Sequence, residues 1–342
     1  MDGIIAYFSR PRHRKTNVTG CLCPATLVKA AELCYTFRVS RKKKKSAFAC
    51  RCEYVALRVA CACVNNLPYV LACALARGLA VFAFDVLRIN RARTLARIQG
   101  VFPGIGRAEA RRIAVFSLAN IFQNAVEMIR SPRLDKQWIT RHVADIALYS
   151  DRLRGYVNEG KGVVIMVPHA GNWYMAAWAM ARYGVPIFAI AARQRNPLIN
   201  DWMNRQYGDV EIVERGTARV MHEIKDRLQR GQAFAILPDL RVMTRDVEVP
   251  FLNGTANVSH GGALFAVRTG SPIVVAMMRR QDGKHVFDHL GTLRPDPNAP
   301  DRRAEAFRLT REAMALIDKA VQKTPEQWFW FNKRWILEPV HG

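Results

Sequence analysis

Hydrophobic spacing changes character along the chain. Residues 9–52 mix basic, cysteine and small residues without a clear period. Leu67 to Val86 is the most apolar stretch, LPYVLACALARGLAVFAFDV, and at about 20 residues it is near the minimum for crossing a bilayer. From Arg107 to Ile129 the apolar positions Ile113, Phe116, Leu118, Ile121, Phe122, Val126 and Ile129 keep a helical period. A second helix is predicted over residues 135–158. The period then shifts. Gly162 to Val167 is a short, continuous β-branched run bounded by glycine and proline, the pattern of a strand buried on both faces. Further strands are predicted at Ile187 to Ala192, Glu211 to Val213, Ala233 to Leu237 and Pro272 to Met278, with Val286 to Leu290 as an edge partner. Helices are predicted at 172–182, 197–207, Ala218 to Arg230, Val258 to Thr269 and Arg302 to Lys323. Strands alternating with helices predict an α/β layered fold with a largely parallel central sheet flanked by helices.

Charge divides the chain in another way. Lys and Arg number 52 against 28 Asp and Glu, a net charge of +24 over 342 residues. Residues 1–58 hold 13 of the basic residues and only three acidic ones, with the densest run at Arg41 to Lys45. The expected organisation is a basic, cysteine-rich extension over 1–58, a membrane-anchor helix and loop over 59–106, and one α/β domain over 107–342. Half the residues are hydrophobic, which excludes a disordered chain, a collagen and a polytopic transporter. So basic a chain calls for an anionic partner: nucleic acid, an anionic membrane surface, or an acidic carrier or substrate.

The apolar stretch is interrupted by Arg77 and Asp85. A charge at mid-membrane costs about 2.5–3.5 kcal/mol on insertion scales. An amphipathic or shallowly inserted helix therefore fits better than a clean span, with Arg41 to Lys45, Arg88, Arg91, Arg93 and Arg97 facing anionic headgroups. Ile4 to Phe8 is too short for a signal peptide and is followed at once by Arg10 to Lys15. All eight cysteines precede residue 74. Their Cys-x-Cys pairs lack a histidine placed to complete a zinc set. His222, His260, His285 and His289 have no metal-site spacing either, so no metal or cofactor is expected.

The candidate chemistry begins where the first predicted strand ends, in Pro168-His169-Ala170-Gly171-Asn172-Trp173-Tyr174. Ligand crevices of α/β folds form past the carboxyl ends of their strands. His169 falls there, Gly171 permits close approach of a substrate, and the following helix N-terminus favours negative charge. This segment resembles the H-x-G-N-W-E signature of the late acyltransferases of lipid A biosynthesis, within the lysophospholipid acyltransferase superfamily. Further blocks follow in order. Arg193 to Leu198 is similar to R-Q-K-N-P-L, Leu237-Pro238-Asp239 to L-P-D, and Val249 to Gly254 to V-P-F-F-G. Ala266 to Pro272 is similar to A-x-x-T-G-A-P, and Pro325 to Trp335 to P-E-Q-W-x-W-x-H-R-R-W. The likeness covers about residues 60–337.

The resemblance implies a glycerol-3-phosphate acyltransferase-like fold and acyl transfer at the cytoplasmic face of a bacterial inner membrane. The implied donor is a fatty acyl thioester on acyl carrier protein. The implied acceptor is a hydroxyl of a phosphorylated glycolipid such as a lipid A precursor, and no nucleic acid is involved. His169 would be the general base, a task suited to a side chain that ordinarily titrates near neutrality. Gly171, Asn172, Arg193, Arg195, Asn196 and Arg334 would bind substrate, Arg193 and Arg195 through phosphate or developing charge.

Two positions depart from the family pattern. Tyr174 stands where the family has its acid, and Asn332 where it usually has histidine. A phenol is neutral at pH 7, and neutralising the orienting carboxylate of a serine triad costs roughly 10⁴ in rate. Asp239 is the substitute carboxylate on topology, with a helix cap or arginine partner as its structural reading. The alternative function is a catalytically impaired member that acts as a lipid-binding or regulatory membrane protein. The two are separated by whether a carboxylate such as Asp239 lies within hydrogen-bonding distance of His169. The tryptophans Trp328, Trp330 and Trp335 read as core packing or a membrane-facing edge.

Overall fold

The computed structural model describes residues 45–215 and 219–339. Most of the expected N-terminal extension therefore lies outside the described residues. Its last part does not behave as an extension: Ala47–Asn66 is a helix, α1, capped by the Ser46 side chain on the Ala49 N–H. Next come α2 (Tyr69–Val81), prolonged by a π-helical turn (Phe82–Val86), α3 (Arg91–Val101) and the long α4 (Arg107–Arg130).

The predicted helix over 135–158 is two helices, α5 (Lys136–His142) and α6 (Ile146–Asn158). Between them Val143 bridges to His285, the Ala144 N–H donates to the His285 carbonyl at 2.8 Å, and Asp145 takes φ +52°. Pairing with a strand edge overrides the helical period at this point. The layered region follows as β1 (Val163–Met166), α7 (Trp173–Arg182), β2 (Ile187–Ala191), α8 (Pro197–Tyr207), β3 (Glu211–Glu214), α9 (Val220–Gln229) and β4 (Ala233–Ile236). After it come β5 (Val247–Phe251), β6 (Gly254–Val258), α10 (Gly261–Thr269), β7 (Ile273–Gln281), β8 (Lys284–Leu293) and α11 (Arg302–Lys323).

The main sheet has the order β3-β2-β4-β1-β7-β8. All its pairings are parallel except the β7–β8 edge, as the sequence predicts. Successive residues of β1 feed opposite cores. Val164 and Met166 join the cluster under α9, α10 and α11, whereas Val163 and Ile165 join the one under α5, α6 and α7. Burial on both faces explains the unbroken apolar run. The sequence reading missed the β5–β6 hairpin. Val258 pairs with Val247, so the following helix starts at Gly261 rather than at 258.

The apolar helix is docked rather than free. Ala72, Cys73, Ala76 and Ala80 make a small-residue stripe buried in the same core as α4. Asp85 pairs with Arg111 of α4, and Arg77 reaches Gln123 of α4 at 3.4 Å. Val70, Leu71, Leu75, Val81, Phe82, Val86 and Leu87 remain exposed on its outer side. Tyr69–Val86 is long and apolar enough to cross a membrane, yet 33% of it is buried inside the protein.

Candidate active site

β1 and β4 are parallel neighbours in register, Met166 beside Ile236, and the Val167 N–H extends the ladder to the Ile236 carbonyl at 3.1 Å. The loops leaving their carboxyl ends bring together two side chains 70 residues apart. His169 Nδ1 lies 2.7 Å from Asp239 Oδ1, and the His169 backbone N–H donates to Asp239 Oδ2 at 2.8 Å. The two residues are 7% and 2% exposed. A carboxylate only accepts, so Nδ1 carries the ring proton and Nε2 is the basic nitrogen. Burial pushes the Asp239 carboxyl up, but the His169 ring, the Trp328 indole and the His169 backbone N–H outweigh it and hold the group below the usual carboxylate range. The pair is thus an ionised carboxylate orienting an imidazole, the arrangement that general-base catalysis requires.

The other expected site residues divide into two groups. Gly171 takes φ +54°, and a Cβ there would lie 1.8 Å from the Met278 carbonyl oxygen. The close approach that requires glycine is therefore to the β7 backbone, not to a substrate. Asn172 caps α7, accepting from the Met175 N–H at 2.9 Å, and its amide donates to Glu127. Asn196 caps α8 through the Leu198 N–H at 3.0 Å and donates to the Cys50 carbonyl of α1 at 2.8 Å. Both asparagines are buried and frame the site instead of lining it. Arg193 and Arg195 are exposed on the segment leaving the carboxyl end of β2, the strand beside β4. Arg334 is half-buried, with its backbone N–H bonded to Asn332 Oδ1 at 3.0 Å. The Tyr174 hydroxyl donates to the Gln206 carbonyl and lies 3.1 Å from Ser131 Oγ, at the junction of α4 and α8.

The residues bracing the loop escaped sequence reasoning. Glu127 of α4 is fully buried and takes two bonds from Arg280 of β7, at 2.6 and 2.8 Å. It also accepts from the Tyr69 hydroxyl at 2.7 Å, and His285 Nε2 lies 3.1 Å away. Burial raises the Glu127 carboxyl, but Arg280 and His285 prevail and hold it well below the ordinary value. Arg280 also donates to Asn124, which donates to the Gly171 carbonyl, both at 2.7 Å. From the other side, segment 327–329 straps the loop. The Gly171 N–H donates to the Gln327 carbonyl at 2.8 Å, and the Phe329 N–H to the His169 carbonyl at 2.9 Å. The signal present in the sequence is a polar row at helical spacing on α4, Asn120, Gln123, Asn124 and Glu127, with Arg280 at the end of an apolar strand to match it.

Residues 41–336 match the model of the bacterial lipid A biosynthesis acyltransferase family. A phosphatidylinositol mannoside acyltransferase of Mycobacterium tuberculosis is 24% identical over 188 residues, covering 53% of this chain and 58% of that protein. The enzyme of the same name from Mycolicibacterium smegmatis is 23% identical over 257 residues, covering 72% of this chain and 79% of its own length. The chain thus spans little more than half of the first relative and about four-fifths of the second. With a family match running from α1 past the strap over the His169 loop, this chain belongs to the bacterial lipid A biosynthesis acyltransferase family.

Proposed function

We propose that this protein transfers a fatty acyl group from the thioester of an acyl carrier protein to a hydroxyl of a phosphorylated membrane glycolipid, with His169 as general base. The observation that carries the reading is the 2.7 Å contact of His169 Nδ1 with the buried carboxylate of Asp239. His169 Nε2 takes the proton of the acceptor hydroxyl as its oxygen attacks the thioester carbonyl. The tetrahedral intermediate collapses by breaking the C–S bond. The imidazolium returns its proton to the departing sulfur, leaving a glycolipid ester and a free carrier thiol. Asp239 orients the ring and stabilises it while it is charged. Arg193 and Arg195, exposed past the carboxyl end of β2, hold the phosphate of the acceptor.

The activity for which the relatives are named supports a glycolipid acceptor, either a lipid A precursor or a related glycolipid. The exposed apolar side of α2 with the exposed Arg88 and Arg93 supports work at an anionic membrane surface, on the cytoplasmic face of the bacterial inner membrane, whereas Arg91 and Arg97, expected to face headgroups too, are held by Asp85 and by the Trp330 and Asn332 carbonyls. A catalytically impaired lipid-binding role rests on Tyr174 alone, and Asp239 supplies the carboxylate that reading requires to be missing. The test incubates the protein in membranes with acyl carrier protein thioester and a lipid A precursor or a phosphatidylinositol mannoside. Ester formation that His169→Ala abolishes is expected. Transfer no greater than in His169→Ala would sink the proposal.

A further inference from the structure

Trp328 belongs to the tryptophan cluster that the sequence reads as packing. Its ring does pack, 5.0 Å from Trp330, 5.9 Å from Trp335 and 5.9 Å from Phe251. Its polar edge points elsewhere: the indole Nε1–H donates to Asp239 Oδ2 at 2.8 Å. Oδ2 therefore receives two donors, this indole and the His169 backbone N–H, and Oδ1 is left to the His169 ring. Trp328 is itself anchored to the same loop through an antiparallel bridge with Ala170.

We infer that Trp328 is a positioning residue for the proposed reaction, acting through Asp239. The chemistry of the donor is what fits it for this. An indole N–H donates only and does not change protonation at any working pH. It therefore stabilises the ionised carboxylate and gives nothing to the protonated acid. Both donors on Oδ2 fix the plane of the carboxylate, so that Oδ1 faces Nδ1 and Nε2 is presented as base. A hydrogen bond to a charged group in a buried site is among the stronger ones. The sheet alone does not hold this geometry, because Asp239 lies three residues past the end of β4.

This inference rests on the acyltransferase reading, and a double-mutant cycle separates the two. Trp328→Phe keeps an aromatic ring and removes the donor. Its expected effect is a fall in kcat of about tenfold to a hundredfold, with KM for acyl carrier protein thioester and glycolipid unchanged. In an Asp239→Asn background the same substitution is expected to cost nothing further, because the group it acts through is gone. Trp335→Phe, in the same cluster, is expected to retain parental kcat. A parental kcat for Trp328→Phe, or effects that add in the double variant, would overturn the inference and leave the dyad standing. Full activity of Asp239→Asn would overturn the dyad itself. Should Trp328→Phe fail to fold, proton resonances of the indole N–H groups decide the matter in the parent chain. Asp239→Asn is expected to move the Trp328 resonance more than that of any other tryptophan, and an unmoved resonance would overturn the assignment.

Discussion

At the scale of single residues, the site depends on how few alternatives each position tolerates. Gly171 combines a left-handed backbone with a neighbouring carbonyl where a Cβ would sit. Gly171→Ala is expected to cost roughly 1–2 kcal/mol from the backbone alone, and more from displacing the loop against β7. Acyl transfer should then fall more steeply than the melting temperature. An assay paired with a thermal melt reads both, and a variant with parental activity would show that the loop yields without consequence. Tyr174 is instructive in the opposite direction. The sequence aligns it with a catalytic acid, but the hydroxyl turns towards Gln206 and Ser131. His169 has its carboxylate from another strand. A motif read along one dimension picks out His169 and points to its hydrogen-bond partner only through topology, as the end of a neighbouring strand.

At the scale of elements, the buried Glu127–Arg280 pair joins pieces that hydrophobic periodicity treats as independent: α4, β7, the start of α2 through Tyr69, and the cap of α7 through Asn172. Removing one partner of such a pair strands a buried charge. Glu127→Gln is expected to destabilise the fold by about 3–5 kcal/mol, measurable by thermal or denaturant unfolding. Because the folded-state carboxyl is held well below its ordinary value of 4.5, its contribution is fully present above that value. It is lost as pH falls from there through the lower folded-state value. The parent should therefore lose stability with acid below about pH 4.5 more steeply than Glu127→Gln. Parallel pH–stability curves would show that the carboxylate is not the group responsible. Sequence patterning located every strand of the main sheet, the central ones because burial on both faces leaves a plain apolar run and the edges β3 and β8 from short half-apolar segments. It missed the β5–β6 hairpin, the α5–α6 break and this network because each depends on a partner more than ten residues away or on a turn.

At the scale of the whole molecule, the charge and the apolar face of α2 act together. The exposed side of α2 with its π-helical turn presents Leu71, Leu75 and Phe82. The opposite side is committed to α4, and Arg77 and Asp85 find partners within the protein. This arrangement suits a helix lying at a lipid surface with the folded body beside it. Replacing Leu71, Leu75 and Phe82 together by serine is expected to weaken sedimentation with anionic vesicles by at least tenfold without changing the melting temperature. Raising the salt should weaken binding of the parent as well. Vesicle binding untouched by the triple substitution would place the membrane contact elsewhere.

The strap over the His169 loop also bears on the order in which the protein is made. Ribosomes deliver the chain from its first residue, so β1 with His169 and β4 with Asp239 emerge long before Pro325 to Phe331. Until that late segment arrives, the Gly171 N–H, the His169 carbonyl and Asp239 Oδ2 each lack a partner that it supplies. A nascent chain can therefore complete its main sheet while the His169 loop is still without its strap. The geometry around His169 and Asp239 is completed only after residues 325–331 have been made.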